Sequence, residues 1–496
     1  MYYNSTRDNS AKVTAAQAIV QGISKEGGLF VPETFPVLNN SDFERLKSLD
    51  YQGRAEYILK FFLTDFSDEE INKCVSGAYT GGKFDGDNPA PLVKLDDNIY
   101  MLELWHGPTC AFKDLALQLL PYLMTTSAGK VLKDKEIVIL VATSGDTGKA
   151  ALEGFKDVEG TKIVVFYPED GVSPMQKLQM NTQEGSNVLV CAIKGNFDDA
   201  QTGVKKIFTD SFINKKLEEQ NIMLSSANSI NWGRLVPQII YYVSSYCDLL
   251  SSGADLKDGF NVVVPTGNFG NILAAFYAKK MGVPISRLIC ASNANNVLTD
   301  FINTGEYNRN REFYTTISPS MDILISSNLE RLLYDLCGRD DGVIKELMQK
   351  LGTDGKYNVT PDVLDKIKAL FYAGYCDDEN TLKTIKMVFD KYRYLCDTHT
   401  AVAVKVYMDY VKETSDEKPT VIASTANPYK FSKSVISALK TANNDDEFNV
   451  IDELSSLTKT RVPASISGLK NKPVRFNNSC SKEDMANIVL NFLNVK

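Results

Sequence analysis

Two segments of this chain repeat a design that few folds can house: an apolar, β-branched run, a glycine-containing turn, then a helix of small residues. Residues 261–276 read Asn-Val-Val-Val-Pro-Thr-Gly-Asn-Phe-Gly-Asn-Ile-Leu-Ala-Ala-Phe, and residues 137–151 read Ile-Val-Ile-Leu-Val-Ala-Thr-Ser-Gly-Asp-Thr-Gly-Lys-Ala-Ala. A strand with no polar alternation is buried on both faces, as in a parallel sheet covered by helices on each side. Further runs at 99–104, 162–167, 187–193, 287–291 and 419–424 have the same look, with helical patterns at 147–155 and 272–281. The expected class is therefore α/β, built on parallel sheets. At 496 residues the chain exceeds one core, so two or more domains are expected.

The first ninety residues differ from the rest. A short helical pattern at 13–23, a Gly27-Gly28 turn leading into an apolar run at 29–32, and an amphipathic stretch at 43–66 predict a helical unit with a turn or short strand inside it. Between about 328 and 394 the strand signal disappears, and charged amphipathic helices are expected at 329–337, 343–351, 361–372 and 379–392. This stretch reads as a helical insertion serving as scaffold.

Bulk properties narrow the function. A formal charge of −8 argues against non-specific nucleic-acid binding, but leaves room for a locally positive pocket. Nine cysteines are scattered without a Cys-x-x-Cys pair, and there are only two histidines, His106 and His399; free thiols and no metal site are expected. The polar opening does not read as a signal peptide, and no run approaches the roughly 18 apolar residues of a membrane span. These features predict a soluble, cytoplasmic enzyme without a membrane or nucleic-acid partner.

Chemistry concentrates in four places. Gly267 and Gly270 let the 266–271 turn aim N–H groups at one point beside a helix N-terminus, an anion cradle that matches neither a Walker A loop nor the dinucleotide glycine spacing. The 143–148 turn adds the hydroxyls of Thr143, Ser144 and Thr147, a set suited to a carboxylate; Asp146 there has a helix N-cap role as its alternative. Residues 225–234 gather small donors before Arg234, and arginine suits bidentate binding of phosphate or carboxylate. Lys113 follows a Gly-Pro turn and opens an apolar helical run, where burial lowers an amine's pKa. His106, beside that turn, has acid–base and structural roles equally open to it, whereas His399 reads as capping or packing. A buried lysine, a phosphate cradle and a carboxylate loop on a parallel α/β frame fit a pyridoxal-phosphate enzyme acting on an amino acid.

The motifs His106-Gly-Pro-Thr-Cys-Ala-Phe-Lys113-Asp, Ala142-Thr-Ser-Gly-Asp-Thr-Gly148, Asn228-Ser-Ile-Asn-Trp-Gly-Arg234 and Thr266-Gly-Asn-Phe-Gly-Asn271 closely resemble those of the threonine synthase family. So do Tyr3-Asn-Ser-Thr-Arg, Glu26-Gly-Gly-Leu-Phe-Val-Pro, Ser318-Pro-Ser-Met-Asp-Ile, Asp397-Thr-His-Thr-Ala-Val-Ala and Ala423-Ser-Thr-Ala-Asn-Pro-Tyr-Lys-Phe431, which resemble its longer class. The resemblance runs nearly end to end. It implies the tryptophan-synthase-β-like, fold type II architecture: two parallel-sheet α/β domains with pyridoxal 5'-phosphate between them. The implied division is an N-terminal domain at 1–92, a large cofactor domain at 93–133 and 225–496 with the insertion at about 328–394, and a small domain at 134–224.

Carried over, the resemblance implies Lys113 as the Schiff-base lysine, with Gly267, Asn268, Phe269, Gly270 and Asn271 around the cofactor phosphate and Thr425 opposite the pyridine nitrogen. Thr143, Ser144, Gly145, Asp146 and Thr147 would take the substrate carboxylate, and Asn228, Ser229 and Arg234 the substrate phosphate. The implied reaction converts O-phospho-L-homoserine and water to L-threonine and phosphate, by a monomer or alternatively a dimer. Two positions depart from the family pattern. Asn427 stands where a histidine is common, which leaves that side chain's role open, and Lys25-Glu26 replaces a more usual acidic pair. A threonine-synthase-like phospholyase and a serine/threonine dehydratase are the rivals within the cofactor class. A non-catalytic regulator that binds a metabolite is the rival outside it.

Overall fold

The computed structural model describes residues 1–132, 135–143, 145–169, 172–440 and 446–495. Two separate sheets carry the site. In the larger, the strands Phe371–Tyr375, Ile285–Ser292, Phe260–Pro265, Thr420–Ser424 and Ile99–Glu103 lie parallel in that spatial order, and Leu92–Asp96 closes the edge antiparallel. In the smaller, Ser479–Cys480, Val188–Ile193, Thr161–Pro168, Glu136–Ala142 and Ile222–Ser225 are all parallel. Phe260–Pro265 and Thr420–Ser424 are buried throughout, as their mainly apolar sequences without polar alternation predict.

The N-terminal unit combines a three-stranded antiparallel sheet (Tyr3–Ser5, Asp8–Val13 and Phe30–Pro32) with helices. The amphipathic stretch at 43–66 divides into helices Asn40–Lys47 and Tyr51–Phe62, because the Asp50 side chain accepts from Gly53 N and starts a new helix. This unit grips the long helix Trp232–Ser252. Arg54 Nη1 meets Asp248 at 2.6 Å, and Asn231 Nδ2 donates to Ile19 O at 2.9 Å. Tyr3 and Phe62 pack on Trp232 with ring centroids 5.3 and 5.7 Å apart. The start of the helix that bears Arg234 is thereby fixed from outside both sheets.

Two expectations are corrected. The stretch 328–394 is not purely helical: its helix Pro361–Leu370 ends into Phe371–Tyr375, which is the edge strand of the larger sheet, and Lys356–Asn358 pairs with Glu306–Asn308. The aromatic, glycine-containing run there resembles a helix end, and only pairing with Ile285–Ser292 makes it a strand. The C-terminal residues, expected with the larger unit, instead complete the smaller sheet: Cys480 pairs opposite Ile193, while Met485, Val489 and Leu493 join the core of Val138, Leu140 and Phe166.

Candidate active site

Both glycine turns leave the carboxyl ends of their strands, where open α/β sheets gather their ligands. The strand Ile99–Glu103 also leads here, through Trp105 and His106, into a stapled turn. Asp114 accepts from Thr109 N at 2.8 Å and Thr109 Oγ1 at 2.6 Å, and Gly107 lies so close that a Cβ there would sit 2.5 Å from the Asp114 side chain. Burial raises the Asp114 carboxyl to about 6. Phe112 N donates to Thr425 O at 2.9 Å, tying the start of the helix Lys113–Leu117 to the end of strand Thr420–Ser424. Lys113 and Thr425 are thus brought side by side, and Thr425 is buried.

The Lys113 side chain is 11% exposed, its Nζ 3.2 Å from Ser320 Oγ and 3.5 Å from Asp146 Oδ2. Burial pulls its amine down; Asp146 opposes that, while Lys430 and Arg234 reinforce it. Asp146 reaches in from the other sheet, as the first residue of helix Asp146–Phe155. It is not the N-cap, a place taken by Gly145 at φ +137°, where a Cβ would strike the Gln176 side chain. Burial acts to raise its carboxyl, but Lys430 and Lys113 outweigh this and hold it well below the usual range.

Among residues expected around a carboxylate, Thr143 and Asp146 behave differently from that picture. The Thr143 hydroxyl accepts from Gly145 N at 3.0 Å and Gly148 N at 2.9 Å, so it serves its own helix start. The Asp146 side chain is an acceptor turned toward two lysines, which leaves its backbone N–H as its means of holding an anion. Thr147 sits in the first helical turn, and Ser144 lies outside the described residues.

The 266–271 turn has the opposite character. Phe269 occupies the left-handed region at φ +63° as N-cap of helix Gly270–Lys280, and no side chain caps the first-turn N–H groups. Gly267 is pressed against the Ser320 carbonyl, 2.7 Å from where a Cβ would stand. Ser326 Oγ donates to Gly267 O, and Asn328 N and Nδ2 both donate to Asn268 O. Asn271 Oδ1 accepts from Tyr241 and Tyr242, yet its buried Nδ2 has no partner among the described residues.

The third cluster abuts the second. Asn328 Nδ2 also donates to Ser229 O, and Arg331 Nη2 to Ile230 O, which anchors the loop holding Asn228 and Ser229. Arg234 Nη1 donates to Ala227 O at 2.5 Å, but its buried Nε is without a partner and no carboxylate pairs with it among the described residues. Burial pushes the Arg234 guanidinium down to about 10. Gln238 and Tyr241 face Gly270 and Asn271, and Arg234 lies one turn before Gln238 on the same face of the helix.

Both histidines are engaged. His399 Nδ1 lies 2.6 Å from Asp397 Oδ2, and its Nε2 accepts from Ser320 N at 3.1 Å, so it orients the residue that touches Lys113 and Asp146. His106 Nε2 lies 2.7 Å from Glu103 Oε2, with its ring stacked on Trp105. Sequence reasoning left Lys430, Gln176 and Ser320 without a role. Lys430 is completely buried, its Nζ 2.7 Å from Asp146 Oδ1 and 2.9 Å from Thr109 O. Its signal was a lysine inside the apolar Pro-Tyr-Lys-Phe run. Asn427 caps that turn, accepting from Tyr429 N at 3.0 Å. No group of three metal-ligating side chains occurs among the described residues, and no described helix is long and apolar enough to cross a membrane.

Three family models match the chain: "Threonine synthase N terminus" over residues 2–79, "Pyridoxal-phosphate dependent enzyme" over 84–426, and "Threonine synthase, C-terminal" over 400–489. Threonine synthase from Schizosaccharomyces pombe is 35% identical, over 90% of this chain and 91% of its own length. Human threonine synthase-like 1 is 41% identical over 87% of this chain, which spans 59% of that longer protein. The crystal structure of pyridoxal-phosphate-bound threonine synthase from Brucella melitensis superposes with a TM-score of 0.88 at 35% identity, covering 99% of each chain. The site suits such a cofactor: a buried amine, an uncapped helix start and the unpaired Asn271 Nδ2 are the donors a phosphorylated aldehyde requires.

Proposed function

Since the chain belongs to the threonine synthase family of pyridoxal-phosphate dependent enzymes, we propose that it converts O-phospho-L-homoserine and water to L-threonine and phosphate. The observation that carries this reading is the presence of two unmatched donor sets at two helix starts. Asn271 Nδ2 and the uncapped turn form one, and the Arg234 guanidinium with its partnerless Nε forms the other. A dehydratase needs only one phosphate position, that of the cofactor; a phosphorylated substrate needs a second.

In this reading Lys113 would hold the cofactor through Nζ, residues 267–271 would hold its phosphate, and Thr425 would offer its hydroxyl to the ring. Bound pyridoxal phosphate supplies the electron sink that lets a C–H bond beside an amino group ionise. Lys113, once its amine is free, takes the substrate Cα proton at Nζ and returns protons along the chain. Arg234, Asn228 and Ser229 hold the substrate phosphate until it leaves from Cγ. The backbone N–H groups of 146 and 147, with Ser144 and the turn at Gly145, take the substrate carboxylate in this reading, since Gly145 N already donates to Thr143 Oγ1. A cytoplasmic setting, supported by the scattered cysteines, and a monomer, supported by the resemblance to the longer class and with a dimer as its alternative, are part of the same proposal.

A threonine-synthase-like phospholyase is the second reading: it would keep the same second phosphate position and differ in how the reaction ends. Steady-state assay of products from O-phosphohomoserine separates them: equal release of threonine and phosphate is expected, and 2-oxobutyrate in place of threonine would overturn the synthase reading. Lys113→Ala should lower turnover by about 10²–10⁴ or more, since it removes the acid–base group.

A further inference from the structure

Lys430 is a second lysine in the same sealed space, and nothing in the reaction as described above uses it. Its side chain is wholly buried, and it is held by one neutral acceptor, Thr109 O, and one carboxylate, Asp146. Asp146 is divided between two lysines. Its Oδ1 takes Lys430 at 2.7 Å and Gln176 Nε2 at 3.0 Å, whereas its Oδ2 meets Ser320 Oγ at 3.2 Å and Lys113 Nζ only at 3.5 Å. At 2.7 Å an ammonium and a carboxylate form a full charge-assisted hydrogen bond; at 3.5 Å they do not.

We propose that Lys430 is a positioning residue: by occupying the near oxygen of Asp146 it draws that carboxylate off Lys113 and leaves the Lys113 amine free to act as a base. The inference rests on the proposed role of Lys113, and it assigns Lys430 no contact with substrate. The charged groups acting on Lys113 are Asp146 from the helix of the smaller sheet, Lys430 from the turn after strand Thr420–Ser424, and Arg234 from the long helix. Asp114, adjacent in the chain, is fully engaged with Thr109 and is acted on by Lys430 as well. One anion among three cations shares its charge, and removal of any one member redistributes what is left.

This arrangement gives two variants opposite signs. In Lys430→Met, Asp146 loses its nearer cation and turns to Lys113, whose amine then holds its proton more tightly. In Asp146→Asn, Lys113 keeps two cationic neighbours and no anion, so its amine loses its proton more easily. Damage to packing would push both variants the same way.

The test is the rate of reductive methylation of Lys113 by formaldehyde and cyanoborohydride in cofactor-free protein at pH 8, read by mass spectrometry of the Lys113 peptide. Relative to the unaltered protein, the expected result is about tenfold slower labelling in Lys430→Met and several-fold faster labelling in Asp146→Asn. Near-ultraviolet circular dichroism verifies folding, and Lys430→Gln replaces Lys430→Met if the latter does not fold. Shifts of the same sign in both variants, or no shift beyond twofold in either, would overturn the proposal. No substrate enters this measurement, so it is independent of the assay for threonine. With the loaded enzyme, the acid limb of the pH–rate profile should move to higher pH in Lys430→Met and to lower pH in Asp146→Asn; an unmoved limb in both would count equally against the proposal.

Discussion

The turns at 143–148 and 266–271 share a pattern of strand, glycine and helix, but they handle their exposed backbone N–H groups in contrary ways. The first is self-sufficient: Thr143 Oγ1 accepts from Gly145 and Gly148, and Asp146 places a carboxylate at the positive end of its helix. The second is left unfinished. Phe269 caps its helix with no side-chain hydrogen bond, and Asn271 Nδ2 is buried without a partner among the described residues. A turn that has satisfied its own donors has little left for a ligand phosphate, whereas an unfinished one costs free energy until an anion completes it. Similar sequence thus yields one turn that spends Gly145 N and Gly148 N on its own fold and keeps only its remaining donors for a carboxylate, and one that leaves its helix start open for a phosphate.

Substitutions on the two turns should separate those properties. Gly267→Ala brings a Cβ to 2.7 Å from the Ser320 carbonyl, a backbone atom that cannot swing away. Overpacking of this kind costs about 1–3 kcal/mol, so cofactor retention measured by equilibrium dialysis should fall by up to roughly a hundredfold. Unchanged retention would mean that the turn is not the phosphate cradle. Next in size is Arg234→Met. Loss of a charge-assisted contact worth about 1.5–3 kcal/mol should raise KM for O-phosphohomoserine by roughly ten- to a hundredfold, with cofactor affinity held. Because no carboxylate pairs with Arg234 among the described residues, thermal stability should hold or rise. A fall in the melting temperature together with an unmoved KM would make the residue structural. The smallest effect belongs to Thr143→Val, which strips the acceptor from two buried N–H groups at a cost of about 1–3 kcal/mol in denaturant unfolding. Cofactor affinity should stay within about threefold, and a large loss would erase the contrast between the turns.

Much of the molecule was legible in advance because buried parallel strands leave a local trace. The apolar run that opens the 137–151 segment lies in the strand Glu136–Ala142, and 162–167 lies inside Thr161–Pro168. Short edge strands leave no such trace. Ser479–Cys480 has two residues and depends wholly on its neighbour Val188–Ile193, and Phe371–Tyr375 was hidden behind a helical pattern. The site divided along the same line. Lys113 announced itself through its apolar context, and Arg234 through the polar loop before it. Lys430, 317 positions beyond Lys113 in the sequence, gave no sign of facing Asp146.

The sequence by itself determined the alternation of strands and helices, the two glycine turns and the lysine in an apolar setting ahead of them, since these follow from local side-chain pattern and backbone freedom. Only the tertiary structure decided which turn satisfies itself, that Asp146 is shared between Lys113 and Lys430, and that Arg234 has no carboxylate partner among the described residues. Charge and hydrogen-bond satisfaction in a buried site depend on distances of a few ångströms between residues far apart in the chain, and no local pattern encodes them.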